Sequence, residues 1–276
     1  MTTAAAGSTL ARATALLAAL DGAQTVPTLT GADSSFGLAD AFVVADEIRR
    51  LRLARGERTL GYKIGFTNRG IWARYGVFAP IWGPIWDTTT ERVDGAEALI
   101  SLAPFVEPRL EPEVMFGFAR APSAGMDMRA LVGCIEWVAH GYEIVHTHFA
   151  NWRFGAADTV ADFALHGHLF VGPRVAIDHF DAVRVDAELA ALRVTLVCNG
   201  RDVEEGEASI VLDGPLHALR AWVDAMAVQT PHWPIRAGDI VTTGTITDAA
   251  PLHQEERWQT RLSDHRLAGM TLRTTS

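Results

Sequence analysis

Two glutamates stand two residues apart in Arg109-Leu110-Glu111-Pro112-Glu113-Val114-Met115-Phe116. Side chains at i and i+2 of a strand share a face, so both carboxylates are expected to point the same way. Like charges that close repel, and each raises the other's pKa unless a cation lies between them. Carboxylate oxygens are hard ligands, suited to Mg2+, Mn2+ or Ca2+. A solvated strand face would show the same spacing, so the pair needs support from elsewhere. Glu143, in the apolar segment Gly141-Tyr142-Glu143-Ile144-Val145, offers a third carboxylate from a neighbouring element. Three carboxylates with open positions to spare make a site that can still take water and substrate.

The chain has one lysine, Lys63, against 23 arginines. Arginine replaces lysine on a surface but keeps its proton near neutral pH. A single retained amine therefore marks a place where a titrating group is useful. Lys63 lies in Leu60-Gly61-Tyr62-Lys63-Ile64-Gly65-Phe66-Thr67, a strand-like run with two glycines that suggest close approach by backbone or ligand.

The elements that must position these residues follow from periodicity. Leu10, Leu16, Leu17 and Leu20 fall on one helical face, which favours an amphipathic helix over 8–21 rather than a secretory signal. A second helix is expected over 37–54, capped by Ser34 or Ser35, burying Ala41, Val44, Ala45, Ile48 and Leu51 and ended by Gly56. The Pro-, Gly- and Trp-rich stretch 77–90 reads as an ordered loop. Pro112 removes a ladder donor, which places its strand at an edge or a bulge. Asp127 can cap a helix that buries Met128, Leu131, Ile135 and Val138, followed by a short strand over 141–145. A helix start is expected at 158–165 and a strand at 168–171. Asn199-Gly200 after 189–197 is a hairpin signal, and 216–226 reads as a helix with Pro215 near its first turn. Helices dominate early and strands late, which favours an α+β class over a doubly wound sheet.

The hydrophobic fraction of 49% and charged fraction of 21% describe an ordinary globular chain of 276 residues. A net charge of −9 argues against a nucleic-acid partner, and no run is long enough to span a membrane. Cys134 and Cys198, far apart in apolar company, read as free buried thiols of a cytoplasmic protein.

Five blocks occur in order: Gly61-Tyr62-Lys63-Ile64-Gly65-Phe66-Thr67, Leu110-Glu111-Pro112-Glu113-Val114, Tyr142-Glu143-Ile144-Val145, Asp158-Thr159-Val160-Ala161-Asp162 and Gly238-Asp239-Ile240-Val241-Thr242-Thr243-Gly244-Thr245. Together they resemble the 2-keto-4-pentenoate hydratase and 4-oxalocrotonate decarboxylase branch of the fumarylacetoacetate hydrolase superfamily, from about residue 36 to 250. The resemblance implies a mixed β-roll with a smaller N-terminal α/β portion, divided here at 1–95 and 96–276 within one continuous unit. It implies a Mg2+ or Mn2+ ion on Glu111, Glu113 and Glu143, with Lys63 as acid/base group. It also implies a homo-oligomer, and a paralogous subunit is a further candidate partner. The expected substrate is a small 2-keto or 2-hydroxydienoic acid from aromatic-compound degradation. The expected reaction is hydration, with decarboxylation of a 2-keto dicarboxylic acid as the alternative and an inactive or regulatory paralogue as a second one. Asp162, Thr245 and Thr247 are candidates for placing water, and Ile64 and Gly65 for contacting substrate. The sequence departs from the family at His146-Thr147-His148, where Asp-Ser-Arg is usual. His146 and His148, like His166 and His168, read as neutral hydrogen-bonding histidines.

Overall fold

Strand β5 is the spine of the larger sheet in this computed structural model, which describes residues 3–95 and 97–276. Ala96, at the expected division, lies outside the described residues. Among the described residues the strands are β1 Thr59–Gly65, β2 Ile81–Trp86, β3 Thr90–Arg92, β4 Ala98–Ser101, β5 Arg109–Phe118, β6 Ile135–Val145 and β7 His166–Val171. Then follow β8 Val175–Ala176, β9 Arg193–Cys198, β10 Arg201–Glu207, β11 Ile240–Thr245, β12 Ala250–Pro251, β13 Arg257–Leu262 and β14 Thr271–Thr275. The larger sheet runs β2-β1-β11-β5-β6-β7-β3, with β12 also pairing β5 and β8 pairing β6. The smaller runs β10-β9-β13-β14-β4. Strand directions are mixed: β1 is parallel to β11, and β11, β5, β6 and β7 then alternate. The α+β expectation holds. Strands β1, β2 and β3 share a sheet with β5 and β6, so early and late segments are hydrogen-bonded into one layer.

Helices α1 Thr3–Gly22, α2 Leu29–Ala32, α3 Leu38–Ala54, α4 Trp72–Tyr75, α5 Met128–Val132, α6 Ala156–Ala161, α7 Val185–Ala190 and α8 Pro215–Val228 complete the fold. Leu16 and Leu17 of α1, and Ala41, Val44, Ala45 and Ile48 of α3, enter one apolar cluster with Ile64, Val114, Phe116 and Val241 of the sheet. Burial of such side chains supplies about 25 cal/mol per Å² and fixes the strands that carry the site. Leu10 stays exposed and Leu51 is only half-buried. The α3 cap is Gly37, whose N–H donates to Asp40, rather than Ser34 or Ser35.

Three expectations change. The 77–90 loop contains β2, paired antiparallel with β1 from Gly65–Ile81 to Thr59–Trp86. Pro84 sits in that outer strand at the sheet's end of the order, where a missing donor is tolerated. The helix after Asp127 stops at Val132; Ile135 and Val138 begin the long strand β6, because pairing with β5 overrides a helical spacing that continued by coincidence. Pro112 lies in an interior strand, not an edge. The β11 ladder is irregular opposite Val114, between Thr242 and Thr245, and β11 ends at Thr245, beyond which Ile246 N–H donates to the Pro112 carbonyl at 2.9 Å. The hairpin at Asn199-Gly200 forms with φ of 50° and 78°, as its residue types require.

Candidate metal and catalytic site

The antiparallel register of β5 and β6 sets Glu111 directly opposite Glu143 and Glu113 opposite Gly141. Like charges across a ladder are destabilising unless something neutralises them. One carboxylate oxygen from each of Glu111, Glu113 and Glu143 lies within 4.8 Å of the others. Glu113 and Glu143 are fully buried and Glu111 half-buried.

Each carboxylate is fixed separately. Glu113 Oε2 accepts from Gly244 N–H at 2.7 Å. Gly244 takes a φ of +100°, and a Cβ there would stand 1.9 Å from Thr67 Oγ1, so only glycine aims this N–H at the acid. Glu143 Oε1 accepts from His166 Nδ1–H at 2.8 Å, and His166 Nε2 accepts from the Thr89 hydroxyl at 2.8 Å. Glu143 Oε2 faces Lys63 Nζ at 3.3 Å. Lys63 is 2% exposed. Gly65, on the same face of β1, leaves it room: a Cβ there would be 3.3 Å from Nζ.

Electrostatics follow from this crowding. Burial pushes Glu111 up, against Lys63 and with Glu143, to about 7. Burial and the neighbouring carboxylates push Glu113 well above its usual range. Burial also opposes ionisation of Glu143, yet Lys63 and His166 hold it below the ordinary value. Burial works against charge on Lys63, but Glu143, Glu111 and Glu113 together raise its pKa. His166 is kept neutral chiefly by burial. Glu113 Oε1 is buried with no hydrogen-bond partner. An orphaned carboxylate oxygen beside two more is a donor set that a hard divalent cation fits.

A cavity reaches this cluster. Lys63, Gly65, Glu111, Thr245 and Thr247 line it, as do Phe66, Tyr75, Arg109, Trp152, Ala164 and Leu165. Ile64 does not; strand alternation turns it into the apolar core at 0% exposure. Asp162 does not line it either. Its Oδ1 accepts from His148 Nδ1 at 2.6 Å, and its Oδ2 from His148 N–H at 2.9 Å and the Thr147 hydroxyl at 3.2 Å. His148 thus pairs with this buried acid. His146 packs against His148 with ring centroids 4.7 Å apart, and burial holds its pKa well below the ordinary imidazole value.

The wall of the cavity is backbone of an uncommon kind. Phe66, Trp152, Ala164 and Leu165 have φ of 55°, 54°, 52° and 64°. Left-handed backbone at residues with a Cβ costs about 1–2 kcal/mol each and concentrates where a binding wall is over-determined. Nothing in residue type announces these positions. Arg109 was legible in principle, since it precedes Glu111 by two on the same strand face.

No family model matches the sequence. The chain is 30% identical to a 2-hydroxyhexa-2,4-dienoate hydratase of Comamonas testosteroni over 244 residues, 88% of this chain and 89% of that one. It is 32% identical to a 4-oxalocrotonate decarboxylase of a Pseudomonas species over 240 residues, 85% and 86% of the two chains. Among solved structures, 4-oxalocrotonate decarboxylase from Pseudomonas putida G7, complexed with magnesium and adipate, superposes with a TM-score of 0.87 at 26% identity over 97% of both chains.

Proposed function

Because the chain belongs to the 2-keto-4-pentenoate hydratase and 4-oxalocrotonate decarboxylase branch of the fumarylacetoacetate hydrolase superfamily, we propose that it is a divalent-cation-dependent lyase adding water to a 2-hydroxydienoate or its 2-keto-4-enoate tautomer. The observation that carries this reading is the convergence of three carboxylates with a buried lysine at the end of one cavity.

Glu111, Glu113 and Glu143 would hold the cation, Mg2+ or Mn2+ in this reading. When bound, it supplies a Lewis acid for the carboxylate and the adjacent C2 oxygen of the substrate, so that charge developing on that oxygen is stabilised. Gly244 N–H and His166 keep two of the three carboxylates in place for that task. Hydration leaves a hydroxyl on C4 and a ketone at C2, so a proton must pass from oxygen to the carbon chain. Lys63 is the amine lining the cavity, and it is the group we assign to carry that proton. Neutralising the carboxylates that raise its pKa would leave burial as the dominant influence and bring the amine toward a useful range. Thr245 and Thr247 spend their hydroxyls on nearby carbonyls, and their place in the wall suits them to shape the path of water.

Decarboxylation is the second reading, supported by the close superposition on the decarboxylase. An inactive paralogue is disfavoured by the presence of every expected ligand and of Lys63. We further assign the cytoplasm as compartment and a homo-oligomer as assembly.

Purified protein with Mg2+ is to be offered a 2-hydroxydienoate and an unsaturated 2-keto dicarboxylic acid. Loss of the dienol chromophore with appearance of a 4-hydroxy-2-keto acid, abolished by a chelator, supports hydration. CO2 release from the second acid alone supports decarboxylation. Turnover of neither with Mg2+, Mn2+ or Ca2+ overturns the proposal.

A further inference from the structure

Asp162 closes α6 and opens the turn Phe163-Ala164-Leu165. The three residues of the turn have φ of 57°, 52° and 64°. Successive left-handed residues that carry a Cβ are disfavoured, and such a run persists only where its surroundings over-determine it. Ala164 and Leu165 line the cavity, and Leu165 leads directly into His166, which holds Glu143. The left-handed form therefore sets the shape of the wall that a bound acid meets.

Two constraints press on the turn from its flanks. Strand β2 lies close on one side, where a Cβ at Gly83 would stand 2.9 Å from Ala164 Cβ. On the other, His146 N–H donates to the Leu165 carbonyl at 3.0 Å. The third constraint is Asp162, whose carboxylate is tied to the chain just beyond β6 by the Thr147 hydroxyl, His148 N–H and His148 Nδ1–H. The last of these is the shortest, at 2.6 Å, and both side chains are sealed from solvent. The His148 ring also packs edge-on against Phe163, the first residue of the turn, with centroids 5.8 Å apart.

We propose that His148, acting through Asp162, is a positioning residue that holds 163–165 left-handed and thereby sets the affinity of the cavity for its acid. The inference rests on the lyase reading of the cavity. It concerns binding rather than proton transfer, since neither His148 nor Asp162 lines the cavity. Its physical basis is population. A turn that is left-handed only part of the time offers the competent wall for that fraction, and apparent affinity falls in proportion.

The test measures, by calorimetry, Mg2+ binding and the binding of 2-oxopentanoate to the Mg2+-saturated protein. His148→Leu removes the imidazole donor and should weaken 2-oxopentanoate about tenfold, the scale of one hydrogen bond to a charged group. His148→Asn keeps an amide N–H near the Nδ1 position and should restore part of the loss. Mg2+ affinity should stay within about twofold, because His166 keeps its bonds to Glu143 and Thr89. Glycine takes the left-handed form freely, so in an Ala164→Gly background His148→Leu should weaken 2-oxopentanoate by less than about threefold. Unchanged 2-oxopentanoate affinity in His148→Leu overturns the inference and leaves the lyase reading intact. So does an equal loss in both backgrounds, or a parallel loss of Mg2+ binding. If His148→Leu does not fold, Thr147→Val removes the other side-chain donor to Asp162 and is read against the same Ala164→Gly background, with the same outcomes. Failure of 2-oxopentanoate to bind the wild type with Mg2+ overturns the lyase reading itself, and this inference with it.

Discussion

Lys63 Nζ lies 3.3 Å from Glu143 Oε2, with both side chains sealed from solvent. The pair joins a strand from the first quarter of the chain to one from its middle, through β11 and β5 between them. Lys63→Met removes the cation and leaves the three carboxylates facing one another. Breaking one side of a buried pair costs about 3–5 kcal/mol. The variant should melt well below wild type without a divalent ion and recover part of the loss when Mg2+ is added, as read by thermal unfolding. Lys63→Arg should keep metal binding and lose rate, and its pH–rate profile should differ from that of the parent. An unchanged profile would remove Lys63 as the proton carrier.

Glu113→Gln keeps the shape of the side chain but halves its ability to hold a cation. It should leave the fold intact and abolish metal-dependent turnover, with Mg2+ affinity reduced at least tenfold by calorimetry. Gly244 N–H can still donate to the amide oxygen, so circular dichroism should match wild type. Full activity would refute the ligand assignment.

His166 holds Glu143 Oε1 while Thr89 holds His166. Groups that orient a ligand carboxylate typically contribute about 10–100-fold to metal affinity. His166→Ala should weaken Mg2+ binding by that order, and His166→Asn should restore part of it, because an amide N–H can still reach the carboxylate. Equal Mg2+ affinity in wild type and His166→Ala would show that Glu143 needs no such support.

Asp162 spends its carboxylate on His148 and Thr147, away from the cavity lining. Asp162→Ala leaves buried donors without partners, at about 1–3 kcal/mol for each such group. The expected outcome is a lowered Tm with a proportionately small change in kcat for the protein that remains folded. A collapse of kcat at unchanged Tm would return Asp162 to a direct role in the reaction.

His168 is held down to about 4, mainly by burial and then by His166, against an ordinary value of 6.5. The folded chain therefore keeps it neutral where the unfolded chain takes up a proton. Its contribution to stability is complete above pH 6.5 and is lost as the pH falls toward 4, by at most about 1.4 kcal/mol per pH unit. His168→Gln cannot titrate. The Tm difference between wild type and this variant should narrow as the pH is lowered from 7 to 5, and a constant difference would contradict the assignment.

Residue types alone determined the chemistry. Glu111 and Glu113 share a face by the period of a strand, Lys63 is the sole lysine, and Asn199-Gly200 could only be a tight turn. These are local properties, and local sterics carries them without reference to the rest of the chain. Tertiary pairing decided what local pattern left open. Ile135 and Val138 became strand because β5 offered them a ladder, and 81–86 became strand because β1 did. The same pairing set Glu143 opposite Glu111, brought His166 to Glu143, and turned Asp162 away toward His148. Neither the left-handed wall at 164–165 nor the stack of Arg109 on Trp152 has a periodicity to read, because each exists only where segments distant in sequence press together and fix one another.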